Sequence, residues 1–209
     1  MYTPPSFAET DRTELFAFIR AHPLGAIVTA ANGELMANHL PLVLQTADDV
    51  AILTGHFSRA NPQSRVADGV DALVIFSDPG GYVTPAWYPS KQEHGRVVPT
   101  WNYVAVHVHG RIELVDDAAF LRAQLDALTN QQEASQEQPW KTADAPAAYL
   151  EQQMKAIIGF RIVVERLEGK WKMSQNRSAA DVTGVIEGFR GSDPRVGEIV
   201  AELNRKRTD

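Results

Sequence analysis

Residues 81–113 read GYVTPAWYPSKQEHGRVVPTWNYVAVHVHGRIE, and they hold two of the chain's four Trp, three of its five Tyr and three of its six His. From Trp101 to Glu113 the pattern has period two. Val104, Val106, Val108 and Ile112 fall on one face, with Tyr103, Ala105, His107, His109, Arg111 and Glu113 on the other. That alternation predicts a half-buried antiparallel strand, apolar toward a core and polar toward something else. A polar loop over Ser90–Arg96 separates this strand, Val98–Val115, from the Trp87-Tyr88 end of the stretch.

Working outward, 209 residues suit one domain, 1–209, whose last part (about 178–209) reads as a helical extension. No apolar run approaches the roughly 20 residues of a membrane span. The opening MYTPPSFAETDR lacks the basic and apolar regions of a secretion signal, so a cytoplasmic location is expected. Zero cysteines exclude disulfides, thiolate catalysis and iron–sulfur clusters. A net charge of −6 argues against a broad nucleic-acid footprint; the densest basic run is Arg205-Lys206-Arg207, which reads as a solvated helix end.

Along the chain, a helix is expected from Thr10-Asp11 to Ala21, closed by His22-Pro23. Strands are expected over Leu24–Ala30 and Leu35–Leu44, joined by a tight turn at Ala31-Asn32-Gly33, with Pro41 demanding an edge or a bulge. Val50–Thr54 and Asp71–Ser77 read as further strands, with a short helix between them at Pro62–Ala67, capped by Asn61. A helix from Asp116-Asp117 to Thr129, a polar loop over Asn130–Pro139, a helix at Pro146–Met154 and a strand at Ile157–Leu167 follow. A last helix spans Pro194–Lys206. Five or six antiparallel strands with peripheral helices imply an α+β, mainly β, domain built on a small barrel.

Motifs for nucleophilic or Walker-type chemistry are absent. His107-x-His109-x-x-x-Glu113 has the spacing of a cupin metal stretch. A cupin takes a further His from a later strand, and no His follows position 109, so no metal site is assigned. An anion site is better supported. His56-Phe57-Ser58-Arg59-Ala60-Asn61 lies between a strand and a helix start, where free amides and the helix dipole favour a phosphate and Arg59 supplies a matching fork. Trp87, Tyr88, Trp101 and Tyr103 flank a loop bearing Lys91 and Arg96, a set suited either to a core or to a planar phosphorylated ligand.

Taken in order, Ala37-Asn38-His39-Leu40-Pro41, Gly55-His56-Phe57-Ser58-Arg59-Ala60-Asn61-Pro62, Tyr82-Val83-Thr84-Pro85-Ala86-Trp87-Tyr88, Val98-Pro99-Thr100-Trp101-Asn102-Tyr103, Val106-His107-x-x-Gly110 and Lys172-Met173-Ser174-Gln175-Asn176-Arg177 resemble the PaiB-type family of FMN-binding negative transcriptional regulators. The resemblance spans nearly the whole chain. It implies an antiparallel FMN-binding split β-barrel like that of pyridoxamine-phosphate oxidases and flavin reductases, and a homodimer with FMN between subunits.

On that analogy the strand carrying His39 and Pro41 runs along the flavin, and Ser58, Arg59 and Asn61 take its phosphate. Where the oxidases have Lys the chain has Ala60, and Lys91 is the candidate substitute. Trp101, Asn102 and Tyr103 fall near the ring or in the facing subunit, and Lys172 and Gln175 close the pocket. Two functions follow: an FMN-binding regulator, with DNA contact implied by the family name but not by charge, or a small FMN-dependent oxidoreductase with His39, His56 or Tyr103 near the ring. A cupin-like metal enzyme is the least favoured.

Overall fold

A computed structural model describes residues 1–31 and 33–206, with Pro79 described through its backbone alone. Asn32 of the expected turn and Arg207 of the basic tail lie outside the described residues. Among the described residues strands dominate, paired antiparallel, and six α-helices accompany them, in keeping with the expected α+β class.

After β1 (Ala8–Glu9), α1 (Arg12–Ala21) buries Leu15 and Ile19 and stops before Pro23. β2 (Leu24–Ala31) and β3 (Glu34–Pro41) form a hairpin in register from Leu24↔Pro41 to Ala31↔Glu34, with Gly33 at φ +82° in the turn. The strand expected over Leu35–Leu44 is two strands. Pro41 has no N–H to continue the ladder, the Leu42 N–H turns to the Pro23 carbonyl at 2.9 Å, and β4 starts at Val43 and ends at Ala47.

β5 (Val50–Ser58) is longer than expected because a distant strand, Ile157–Val163, pairs with it as far as Ser58↔Ile157. His56–Ser58 are therefore strand residues, not loop. β6 (Asp71–Val83), α2 (Ser90–His94) and β7 (Thr100–Val115) cover the organising stretch, so the expected polar loop holds a short helix. α3 (Ala118–Glu133), capped by Asp117 accepting from the Phe120 N–H at 2.7 Å, runs four residues beyond its expected end. After α4 (Ala147–Met154), the strand expected over Ile157–Leu167 is again two, β8 (Ile157–Val163) and β9 (Arg166–Lys172). α5 (Ala179–Ser192) and α6 (Pro194–Arg205) close the chain.

The chain forms two compact units. One comprises Arg12–Phe76 and Val106–Leu167, with strands in the order β3-β2-β6-β7-β8-β5-β4. Its core takes the inward residues of each strand: Leu53, Phe57, Val74, Phe76, Val106, Val108, Ile112, Phe160 and Ile162 are wholly buried. Each such side chain contributes about 1.5–3 kcal/mol. Gly55 is required there, since a Cβ would come within 2.6 Å of the Phe160 ring and 2.7 Å of Leu42. The alternation read from the sequence holds on β7, except that Ala105 is buried along with its neighbours.

The other unit comprises Met1–Asp11, Ser77–Ala105 and the chain from Glu168 onward. In it β9 pairs with β1 and with β7. α5 and α6 pack together, burying Val185, Phe189, Val196 and Val200. Two glycines four residues apart on α5 admit the Trp87 segment. A Cβ at Gly184 would lie 2.0 Å from the Trp87 carbonyl oxygen, and one at Gly188 would lie 2.1 Å from its ring.

Candidate functional site

In the first unit the expected phosphate segment is a tight turn. The Ser58 Oγ accepts from the Ala60 N–H at 3.2 Å, and the Ser58 carbonyl accepts from the Asn61 N–H at 2.9 Å. Asn61 caps the 3-10 turn Pro62–Arg65 as expected, its Oδ1 accepting from the Gln63 N–H at 3.0 Å. The Arg59 N–H goes to the Ala156 carbonyl at 2.9 Å. The row of free amides anticipated for an anion is thus already satisfied inside the protein. What remains is the Arg59 side chain. Its Nη1 donates to Asp116 at 3.1 Å, its Nη2 pairs with the other carboxylate oxygen, and its Nε donates to the Lys155 carbonyl at 3.1 Å. Mutual hydrogen bonding raises the Arg59 pKa and lowers that of Asp116. Both partners are exposed, so the pair is weak and open to exchange for a stronger anion.

His56 points to α3, where its Nδ1 meets the Gln124 Oε1 at 2.8 Å. His39 is exposed on β3 opposite Ala26, and Pro41, half-buried, sits opposite Leu24. Glu113 is bound by Arg161 at 2.7 and 2.9 Å, a partner the metal-type spacing did not anticipate.

Gln63 is the residue that sequence reading missed in this unit. It is wholly buried, donates to the Thr29 Oγ1 at 2.9 Å and accepts from the Asn38 Nδ2 at 2.8 Å, pinning the turn to β2 and β3. A polar residue in a one-turn helix gives no periodic signal, so only its place two residues after the cap could have marked it.

The second unit holds the remaining candidates. Trp101 is exposed, with its ring 6.3 Å from that of the equally exposed Tyr82, and Tyr103 is half-buried beneath the Lys170 ammonium. Trp87 and Tyr88 are held by protein contacts, Trp87 packing edge-on against Phe189 at 5.0 Å and Tyr88 being 1% exposed under the Arg177 guanidinium. Lys91 is exposed on α2, which is tied down by Ser90 donating to the buried Asp181 at 2.9 Å. Gln175 is occupied within its own loop, accepting from the Met173 N–H at 2.6 Å and donating to the Trp171 carbonyl.

Asn102 and Lys172 do come together, on a cavity of ≈130 Å³ that also takes Thr100, Ser174, Asn176 and Arg177. A wider groove of ≈610 Å³ in this unit is lined at Glu93 and Glu187, a charge that repels anions.

Residues 1–166 match the family model described as "Putative FMN-binding domain". The protease synthase and sporulation protein PAI 2 of Bacillus subtilis is 34% identical over 204 residues, covering 97% of this chain and 96% of that protein. An uncharacterized protein of Emericella nidulans is 34% identical over 244 residues, covering 99% of this chain and 97% of its own. Among solved structures, the FAD and heme binding protein of Mycobacterium smegmatis is similar in fold, with a TM-score of 0.59 and 22% identity over 79% of this chain and 73% of that one.

Proposed function

Since this chain belongs to the PaiB-type family of FMN-binding split-barrel proteins, we propose that it works as a homodimeric flavin-carrying regulator. The observation that carries the reading is the exposed Tyr82–Trp101 pair, each residue about half open in a protein that buries the strand aromatics Phe57, Phe76, Phe160 and Trp171. Half-exposed aromatic rings suit a planar, phosphorylated ligand and the subunit that closes over it. When bound, FMN supplies one- and two-electron chemistry. The protein's part is to hold and orient: the strand of His39 and Pro41 along the ring and Arg59 with Ser58 and Asn61 toward the phosphate, Asp116 yielding its place, while Trp101 and Tyr103 offer aromatic surface to the flavin of the facing subunit.

Regulation in this reading passes through a ligand or partner, not through broad contact with DNA. The net charge is −6, and of the basic tail Lys206 is engaged with Glu202 at 3.4 Å. The hydrogen bond between His56 Nδ1 and Gln124, which orients the imidazole, supports a second reading, a small FMN-dependent oxidoreductase in which His56 exchanges a proton with substrate.

Titration of the purified protein with FMN, with mass detection of bound ligand, tests the common premise: stoichiometric uptake supports it, and colourless protein that takes up no FMN sinks both readings. Sustained turnover of NAD(P)H by the loaded protein would select the oxidoreductase. A sequence-dependent, salt-sensitive shift of promoter DNA would select a directly binding regulator instead.

A further inference from the structure

The second unit gathers positive charge where the chain as a whole is acidic. Lys170 and Lys172 lie on the same face of β9, and Arg177 enters from the loop that follows. The one carboxylate on that face of β9, Glu168, is engaged by the Met1 ammonium at 2.9 Å. Lys170 is 9% exposed and directs its Nζ to the Tyr2 carbonyl at 3.1 Å, between the Tyr2 and Tyr103 rings. Lys172 donates to the Thr100 Oγ1 at 2.6 Å and receives no carboxylate among the described residues. Its ammonium is held below its ordinary pKa first by burial, and further by Lys170 and Arg177, with Tyr103 acting in the opposite sense. Partly buried cations that meet no carboxylate among the described residues are costly unless something anionic completes them.

The cavity they border is built for that completion. Its polar lining, Thr100, Asn102, Lys172, Ser174, Asn176 and Arg177, consists of side chains able to donate, with no carboxylate among them. Asn102 is wholly buried and exchanges hydrogen bonds with the Ser174 hydroxyl at 2.9 and 3.1 Å. Ser174 is 4% exposed and sits at φ +62°, a left-handed backbone that an L-residue adopts at a cost and that is found most often where a site needs it. Size narrows the guest. At ≈130 Å³ the cavity is close to the roughly 150 Å³ that admits a benzene-sized molecule, and well short of the 300 Å³ or so at which whole-ligand pockets begin.

We propose that this cavity binds the oxyanion of a phosphate or carboxylate group, with Lys172 and Arg177 as its cations and Ser174, Thr100 and Asn102 as its neutral donors. The oxyanion is either a separate small acid or, in place of the Arg59 turn, the phosphate of the bound flavin.

The test titrates inorganic phosphate into the full chain, free and FMN-loaded, and follows the backbone amides of Thr100, Ser174 and Arg177 by NMR. Saturable shifts at those amides are expected, weakened about tenfold or more in Lys172→Met and retained in Lys172→Arg, as loss of one charge-assisted hydrogen bond requires. If phosphate competes with FMN, and Lys172→Met weakens FMN but not riboflavin, the flavin is the source. If the FMN-loaded protein takes phosphate as readily as the free one, the source is a separate acid. Absence of saturable shifts, or an identical response in wild type and a folded Lys172→Met, overturns the proposal. FMN uptake with no phosphate response removes the cavity and leaves the family reading; phosphate response with no FMN uptake does the reverse.

Discussion

Arg59 is a cation with a replaceable partner. Asp116 holds it, and a phosphate carrying nearly two charges would compete on favourable terms. Arg59→Ala should weaken FMN about tenfold or more and leave riboflavin unaffected, measured by fluorescence quenching of each flavin. Equal FMN affinity in the variant would move the phosphate away from this turn. Lys172 yields a pH prediction. Its folded pKa lies below its ordinary 10.5, so the folded chain releases this proton before the unfolded chain does, and stability rises as pH climbs through that window. Lys172→Met should therefore be more stable than wild type near neutral pH, with the advantage shrinking toward pH 10.5. Urea unfolding of both proteins across that range checks it, and a constant difference would refute it.

At the scale of elements, α5 is positioned by what its glycines omit. Gly188→Val would drive a side chain into the Trp87 indole and should destabilise the protein by about 1–3 kcal/mol, read from denaturant midpoints at unchanged m. A neutral outcome would mean that Trp87 can swing away. The same contact explains part of what the sequence left hidden. Trp87 and Tyr88 look like ligand aromatics until a helix nearly a hundred residues later is seen to make room for them; Gly184-x-x-x-Gly188 was the available signal. The alternation over Val104–Ile112 was legible because burial on a strand has period two. The continuation of β5 through His56 and Ser58 was not, because its cause is the pairing with β8 a hundred residues on. Likewise the motif Lys172–Arg177 was visible as a polar run, whereas the inward turn of Ser174 and the union of Lys172 with Asn102 depend on strand neighbours that no local pattern encodes.

At the scale of the whole molecule, the fold class was accessible from strand count, composition and family motifs, while assembly is a matter for solution measurement. Sedimentation of the purified chain should give a dimer that tightens when FMN is added, since a ligand bound between subunits stabilises the associated form by mass action. A monomer at all concentrations with FMN bound would end the shared-site reading. No helix among the described residues is long and apolar enough to cross a membrane. Ser174 carries one last consequence, on an evolutionary timescale. Its left-handed backbone is the conformation glycine adopts freely, so random drift in descendants of an ancestral chain has an easy exit at this position. Only use of the hydroxyl closes that exit. An alignment of relatives is then a natural mutagenesis record: serine kept against the steric gradient marks lineages that use the hydroxyl, for Asn102 or for the anion, and glycine marks those that have let it go.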